Sequence, residues 1–336
     1  MSLEGWVGTT LACAVVDSRV LVGGRNSRVM ALTLADGRQV VAKRHAPVRP
    51  GRLDSLVVES RALRFLDRHD ANVPRLLAVD LENRCLVMTR VSGEAVSGER
   101  EEHVDALLDF LHTLDRIGEH KDARKLPPAS EATFSLAQLD ANLDARFERL
   151  QDAPDDDRVA DEMRRFLDED LGPARRERVA EAAAMLADEG VERDDELLAE
   201  HRRLSPSDFG FHNALMDADG RWSFVDFEYF GWDDPAKTLA DLLLHPRVDL
   251  SPVLRRRWVE KRLATLHTDT TLPCRLRAFY PLFAIKWCLI LLNEFGPQDR
   301  ARRQQAGVDT VDARPAQLAK ARRMLERMDD LDDAAG

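Results

Sequence analysis

The sequence predicts an α+β protein, a small antiparallel sheet carrying one helix followed by a larger, mainly helical part. Three observations predict it. Short β-rich runs separated by turn residues fill the first 90 positions. A single amphipathic stretch interrupts them. Beyond Gly93 the apolar residues recur at helical spacing almost throughout. Sheet and helices segregated along the chain give the α+β class, here as a bilobed arrangement with lobes at residues 1–91 and 92–336.

Residues 20–22, 29–34 and 39–43 read as strands, punctuated by Gly23-Gly24 and Asp36-Gly37. Over residues 54–69, Leu56, Leu63 and Leu66 share one helical face, and Asp54 or Ser55 is a suitable cap. Pro74 breaks the chain, and residues 76–79 and 85–88 read as two further strands. Val104, Leu107, Leu108, Leu111 and Leu114 then form an amphipathic stripe. Helices are expected at residues 136–150, 158–171 and 174–187, the last stopping near Gly190. A strand-rich island at residues 202–228 turns at residues 217–220, and helices at about 236–246, 251–266, 274–295 and 314–328 complete the chain.

Composition narrows the function. The 336 residues hold 49 Lys and Arg against 60 Asp and Glu, a net charge of −11. That balance disfavours nonspecific nucleic-acid binding. Only 7 of the basic residues are Lys, so a Lys inside an apolar run stands out. Cys13, Cys85, Cys274 and Cys288 have neither paired spacing nor a His cluster beside them, which fits a reducing compartment. The acidic Glu4 and the lack of a basic, then apolar leader point away from a secretory signal. The longest apolar run, residues 279–292, contains Lys286 and is short for a bilayer. The expectation is a soluble, cytoplasmic protein without a membrane partner.

The densest chemistry lies in Asp208-Phe-Gly-Phe-His-Asn213 and Phe224-Val-Asp-Phe-Glu228. The residues between read as strand, turn, strand, and a hairpin brings its ends together. Asn213 and Asp226 would then lie side by side, with Asp208 on the adjoining loop. Two oxygen ligands and one free carboxylate suit phosphoryl transfer: Mg²⁺ takes few protein oxygens, and the carboxylate receives the acceptor's proton. Taken singly, Asp208 and Asn213 are equally residues that cap turns. In the first lobe Lys43 ends the apolar run Val40-Val41-Ala42, and Glu59 falls on the apolar stripe of the expected helix. A buried Glu needs a partner, and Lys43 is the natural one. Gly23-Gly24-Arg-Asn-Ser27 joins the first two strands, where backbone N–H groups at Gly24, Asn26 and Ser27 can approach a phosphate.

These motifs, in this order and spacing, resemble the aminoglycoside phosphotransferase and choline kinase branch of the protein-kinase-like fold. Phe110-Leu-His112, Trp232-Asp-Asp-Pro235 and Asp241-Leu-Leu add to the likeness, which spans roughly residues 20–295. The resemblance implies an ATP-dependent (or GTP-dependent) kinase that phosphorylates a hydroxyl of a small molecule such as a sugar, amino alcohol or antibiotic. It implies that Lys43, held by Glu59, binds the α- and β-phosphates, that Asn213 and Asp226 hold Mg²⁺, and that Asp208 is the base. The segment 86–91, with Met88 and Val91, would receive the adenine. The family usually has a His two residues before the catalytic Asp, where this chain has Pro206. That departure marks a distinct subfamily and motivates an alternative, a nucleotide-binding pseudokinase acting as a scaffold. A protein kinase fits less well, because no Ala-Pro-Glu element follows Asp226.

Glu228, Lys286 and Trp287 are the candidates for the acceptor pocket. Lys286 shares a helical face with Phe283 and Ile290, so it needs an anionic partner from the protein or from a ligand. A ligand in that role makes the acceptor anionic. Asp234, just before Pro235, is expected to cap a helix, and Asp241 to bond the catalytic loop.

Overall fold

The structure is a computed structural model and describes residues 2–21, 27–48, 51, 53–153, 157–296 and 313–331. Its residues group into two compact units, each assembled from three stretches of chain. The first takes residues 1–96, 115–131 and 206–231, and the second residues 97–114, 132–205 and 232–336. The division at residues 91 and 92 follows chain order. The contacts do not, since the 206–231 segment groups with the N-terminal sheet.

In the first unit, β1 (Val15–Val20), β2 (Ser27–Leu34), β3 (Gln39–His45), β4 (Leu76–Asp80) and β5 (Cys85–Thr89) form an antiparallel sheet in the order β1-β2-β3-β5-β4. The first strand lies earlier than the sequence suggests. Val16 is 63% exposed, so β1 has little apolar alternation and is held by its backbone pairing to β2.

A helix that the sequence reading missed, α1 (Leu3–Thr10), covers one face of this sheet. Two Gly and two Thr give it poor propensity. Ser2 caps it by accepting from the Gly5 N–H at 3.1 Å, and Leu3, Trp6 and Val7 bury against Met30, Leu32, Val40, Ala42 and Val87. Tertiary burial decides for helix here.

Strand alternation then sets up the site. Val40 and Ala42 of β3 join the α1-facing core, so Lys43 and His45 project from the opposite side. There they meet α2 (Ser55–Arg68), which Asp54 caps through the Leu56 N–H at 3.0 Å. Leu56, Leu63 and Leu66 are all buried along α2, and so is Glu59 between them.

The unit is completed by β6 (Glu94–Ala95), β8 (Ala214–Met216) and β9 (Trp222–Phe224), a three-stranded sheet in the order β6-β8-β9. Gly93, at φ +130°, lets the chain pass the Met216 carbonyl, which a Cβ would approach to 2.8 Å.

The second unit is built on α4 (Leu136–Gln151), α5 (Arg158–Arg165), a π turn (Phe166–Leu171), α6 (Gly172–Asp188), α7 (Pro235–Leu244), α8 (Pro252–Thr265), α9 (Leu272–Leu291) and α10 (Ala313–Glu326). It also takes the first fourteen residues of α3 (Glu101–Gly118) and the short strand β7 (Arg203–Ser205), which pairs with β10 (Gly231–Asp233). The segment Leu272–Phe295 is long and apolar enough to cross a membrane, but 72% of its most apolar window is buried inside the protein. It is the central helix of this unit, against α4, α6, α7 and α10.

Buried charge ties these helices together. Asp234 caps α7 through the Ala236 N–H at 2.8 Å, as expected, and also takes the Arg275 guanidinium of α9 at 2.9 Å. The same guanidinium reaches Asp269 at 2.8 Å. Arg275 is 4% exposed and Asp234 0%, so each charge depends on the others. Arg275→Met should lower stability by about 3–5 kcal/mol, because two buried carboxylates lose their cation. Denaturant unfolding checks it, and an unchanged midpoint at unchanged slope would refute the coupling.

Asp105 of α3 takes two nitrogens of Arg257 at 2.8 and 2.6 Å and Lys261 at 2.8 Å, both on α8. The Arg257 hydrogen bonds, foremost, hold its carboxyl down at about 2, against an ordinary 3.8. Between those values the unfolded chain binds the proton and the native state does not, so stability rises with pH. The stability difference between wild type and Asp105→Asn should be full above about pH 5 and close as the pH falls to about 2. A difference that stays constant over that range would contradict the ion pair.

Candidate active site

Lys43 is the centre of the site in the first unit. It is 3% exposed, and its Nζ lies 2.6 Å from Asp226 Oδ1, 2.9 Å from Glu59 Oε2 and 3.2 Å from Glu228 Oε2. Burial works against its charge, yet the three carboxylates together raise its pKa well above the usual value. Glu59 is fully buried, and burial opposes its ionisation. Lys43 and His45 outweigh this and bring its carboxyl down to about 2.

His45 is a member that the sequence reading missed. Its Nε2 lies 2.9 Å from Glu59 Oε2, and its Nδ1 is 3.0 Å from the Ser55 hydroxyl. The signal was present: His45 is two residues from Lys43 on a strand, and Ser55 is one turn before Glu59 on α2.

The hairpin does what the spacing requires. Ala214 pairs with Phe224, and the Val225 N–H donates to the Asn213 carbonyl at 3.0 Å. Asn213 is thus beside the chain just before Asp226. A second tie runs from α2's far end, where the Asn72 carbonyl accepts from the Phe224 N–H at 3.1 Å. Asp226 itself has φ +67°, a left-handed conformation that is strained for a non-glycine residue. Burial, first, pushes its carboxyl up to about 7 together with the charges of Glu228 and Glu59, against the pull of Lys43.

On the loop, Asp208 is followed by the buried Phe209. Its backbone N–H bonds the Pro206 carbonyl at 2.9 Å across Ser207, another left-handed residue at φ +67°. Asn213 Nδ2 donates to the Asp208 carbonyl at 2.8 Å. This contact fixes the amide, so its acceptor oxygen turns away from that carbonyl. A carboxylate at Asp226 and an amide oxygen at Asn213 are hard oxygen donors, the kind Mg²⁺ takes.

Several expectations are corrected. Glu228 is 6% exposed, 3.2 Å from Lys43 and 3.4 Å from the Ser27 hydroxyl. It belongs to the buried Lys43 cluster, two residues after the left-handed Asp226. The Ser27 hydroxyl donates to Glu228, a contact separate from the backbone N–H expected to approach a phosphate. Gly24 and Asn26 lie outside the described residues. Met88 sits mid-ladder in β5, opposite Val41 of β3 and Leu76 of β4. Both edges of β5 are engaged by sheet bonds, so backbone groups able to read an adenine must come after it, where Val91 stands.

In the second unit, Lys286 is 3% exposed, and its charge acts on the buried carboxyl of Asp233. Burial raises the Asp233 pKa, while Lys237 and Lys286 pull it down. Trp287 donates from Nε1 to Asp241 Oδ1 at 3.0 Å and stands edge-on to His245. Asp241, expected at the catalytic loop, also pairs with Lys237 at 3.1 Å.

Tyr229 was not anticipated either. Burial and the charges of Glu228, Asp208 and Asp226 raise its phenol well above the usual value, which places it among the site's carboxylates.

Comparison with known proteins agrees with this geometry. A thermostable mutant of aminoglycoside phosphotransferase APH(4)-Ia, solved with ADP and hygromycin B, superposes with a TM-score of 0.58 at 17% identity, covering 100% of both chains. Spectinomycin phosphotransferase APH(9)-Ia, solved with ADP and spectinomycin, gives 0.63 at 9% identity over 99% of this chain and 96% of that one. Choline kinase LicA from Streptococcus pneumoniae gives 0.59 at 15% identity over 96% and 97%. At these identities the likeness concerns the fold, which is kinase-like. No curated protein matches the chain. Residues 17–279, most of the chain and all of the loop, hairpin and Lys43 cluster, match the family model described as phosphotransferase enzyme family (APH), and the chain belongs to that family.

Proposed function

We propose that the protein is an ATP-dependent kinase that transfers the γ-phosphoryl group to a hydroxyl of a small metabolite. The observation that carries this reading is the convergence of Lys43, Glu59 and Asp226 in one ion-pair cluster, on a hairpin whose other end carries Asn213 and the Asp208 loop. Folds of the same kind have been solved with ADP or AMP-PNP and with hygromycin B or spectinomycin, and a choline kinase is among them. This supports a nucleotide donor and a small hydroxyl-bearing acceptor.

Lys43 binds the α- and β-phosphates, and Glu59 and His45 hold the Lys43 side chain in place. Asp226 and Asn213 are the residues that hold Mg²⁺, which when bound neutralises charge on the phosphate oxygens. Val91, after the committed ladder of β5, offers backbone groups to the adenine. Asp208 orients the acceptor hydroxyl and takes its proton. The 38% exposure of the Asp208 side chain leaves it within reach of an acceptor. The pseudokinase alternative draws no support from any of these residues, since each position that the chemistry needs is filled.

Asp208→Ala should lower kcat by about 10²–10⁴ and leave nucleotide affinity near wild type. A mass-spectrometric screen for phosphate gain across hydroxyl metabolites supplies the acceptor for that measurement. Near wild-type turnover in the variant would remove Asp208 from the reaction. Nucleotide binding should strengthen with Mg²⁺ in the wild type, and Asp226→Ala should abolish that dependence. Calorimetry with and without the metal decides it, and equal metal linkage in both proteins would rule out Asp226 as a ligand.

A further inference from the structure

The loop that carries Asp208 contains a second side chain whose geometry the proposed reaction leaves unexplained. His212 Nε2 lies 2.9 Å from Asp208 Oδ1. The His212 side chain is 7% exposed, against 38% for Asp208. A largely buried ring therefore grips one oxygen of a far more exposed carboxylate.

The ring's own position is well determined. Phe211 on one side is 4% exposed, and the short 3₁₀ turn Phe211–Asn213 closes with the Asn213 N–H on the Gly210 carbonyl at 3.0 Å. Phe209 is likewise 4% exposed and stacks near Phe224 of the hairpin, centroids 5.7 Å apart. On the other flank, Pro206 has no N–H and accepts from the Asp208 backbone N–H through its carbonyl.

We propose that His212 is a positioning residue for phosphoryl transfer: its Nε2–H donates to Asp208 Oδ1 and so fixes the direction in which the exposed carboxylate meets the acceptor hydroxyl. This inference rests on Asp208 being the base. In the step itself the acceptor oxygen forms a bond to the γ-phosphorus, and the bond from that phosphorus to the β,γ-bridging oxygen breaks. ADP leaves with the bond's electron pair, and the hydroxyl proton goes to the Asp208 carboxylate. His212 neither gains nor loses a proton. Its effect is orientation, where misplacement of a reacting group by about 1 Å can cost about 10²-fold in rate.

The probe is hydrolysis of Mg·ATP, with water in the acceptor's place. His212→Leu should lower kcat by roughly 10- to 100-fold while the KM for ATP stays within about two-fold. His212→Gln, whose amide nitrogen reaches the place of Nε2, should recover most of that loss. Asp208→Ala serves as the reference for the base. A second readout does not need turnover: the ¹⁵N resonances of His212, identified by their loss in His212→Gln, should report an Nε2–H tautomer that changes in Asp208→Ala. Wild-type kcat in His212→Leu, failure of a folded His212→Gln to recover, or a tautomer indifferent to Asp208 would each overturn the proposal. Undiminished hydrolysis in Asp208→Ala would instead overturn the base assignment, so the two failures are distinguishable.

Discussion

A lysine ammonium buried against three carboxylates is the constraint on which the first unit depends. Lys43, Glu59 and Glu228 are not tolerable alone at their depth, while Asp226 at 35% side-chain exposure keeps one side to solvent; removal from water costs several kcal/mol per ion unless opposite charges and hydrogen bonds compensate. Each comes from a different place in the chain: Lys43 from β3, Glu59 from α2, and Asp226 with Glu228 from the segment after β9. The cluster therefore ties together pieces nearly two hundred residues apart. It also carries an excess of negative charge, three carboxylates around one ammonium, with His45 alongside. A site with that imbalance has room for a further cation, in keeping with the metal role proposed for Asp226.

The second unit solves a similar problem without leaving reactive groups exposed. Lys237 is 1% exposed between Asp233 and Asp241, and Trp287 donates to the latter. Lys286 acts on the same Asp233. These charges neutralise one another inside the helical packing, beside the Arg275 network that caps α7. Lys237, held between Asp233 and Asp241, fixes helix positions.

Much of this was legible in the sequence. The α2 helix, its Asp54 cap and the Lys43–Glu59 pair follow from periodicity and from the cost of burying Glu59 alone. The hairpin uniting Asn213 with the Asp226 segment follows from strand, turn, strand. What escaped did so for identifiable reasons. The α1 helix has weak propensity and exists through burial of Leu3, Trp6 and Val7. The first strand is mostly exposed, so it shows no pattern to find. The place of Glu228 depends on the left-handed backbone of Asp226, and nothing in a Val-Asp-Phe-Glu string announces a positive φ. That the charge of Lys286 acts on Asp233, more than fifty positions away in sequence, only folding reveals.

The hairpin between β8 and β9 separates what the site fixes from what it leaves free. The pairing of Ala214 with Phe224 and the Asn213–Val225 bond hold its base. Its tip, by contrast, closes on itself: Asp217 Oδ1 accepts from the N–H groups of Asp219 and Arg221, and a Cβ on Gly220 would meet nothing within 4 Å. The distance in sequence from Asn213 to Asp226 is therefore incidental, whereas that from Asp208 to Asn213 is not, since the Asn213 amide spans it directly. Extra residues spliced in after Asp219 would lengthen a solvent-facing turn and leave the ladder at its base in register. The same splice between Asp208 and Asn213 would part the two side chains. This chain can take added length at the first place and holds to one length at the second.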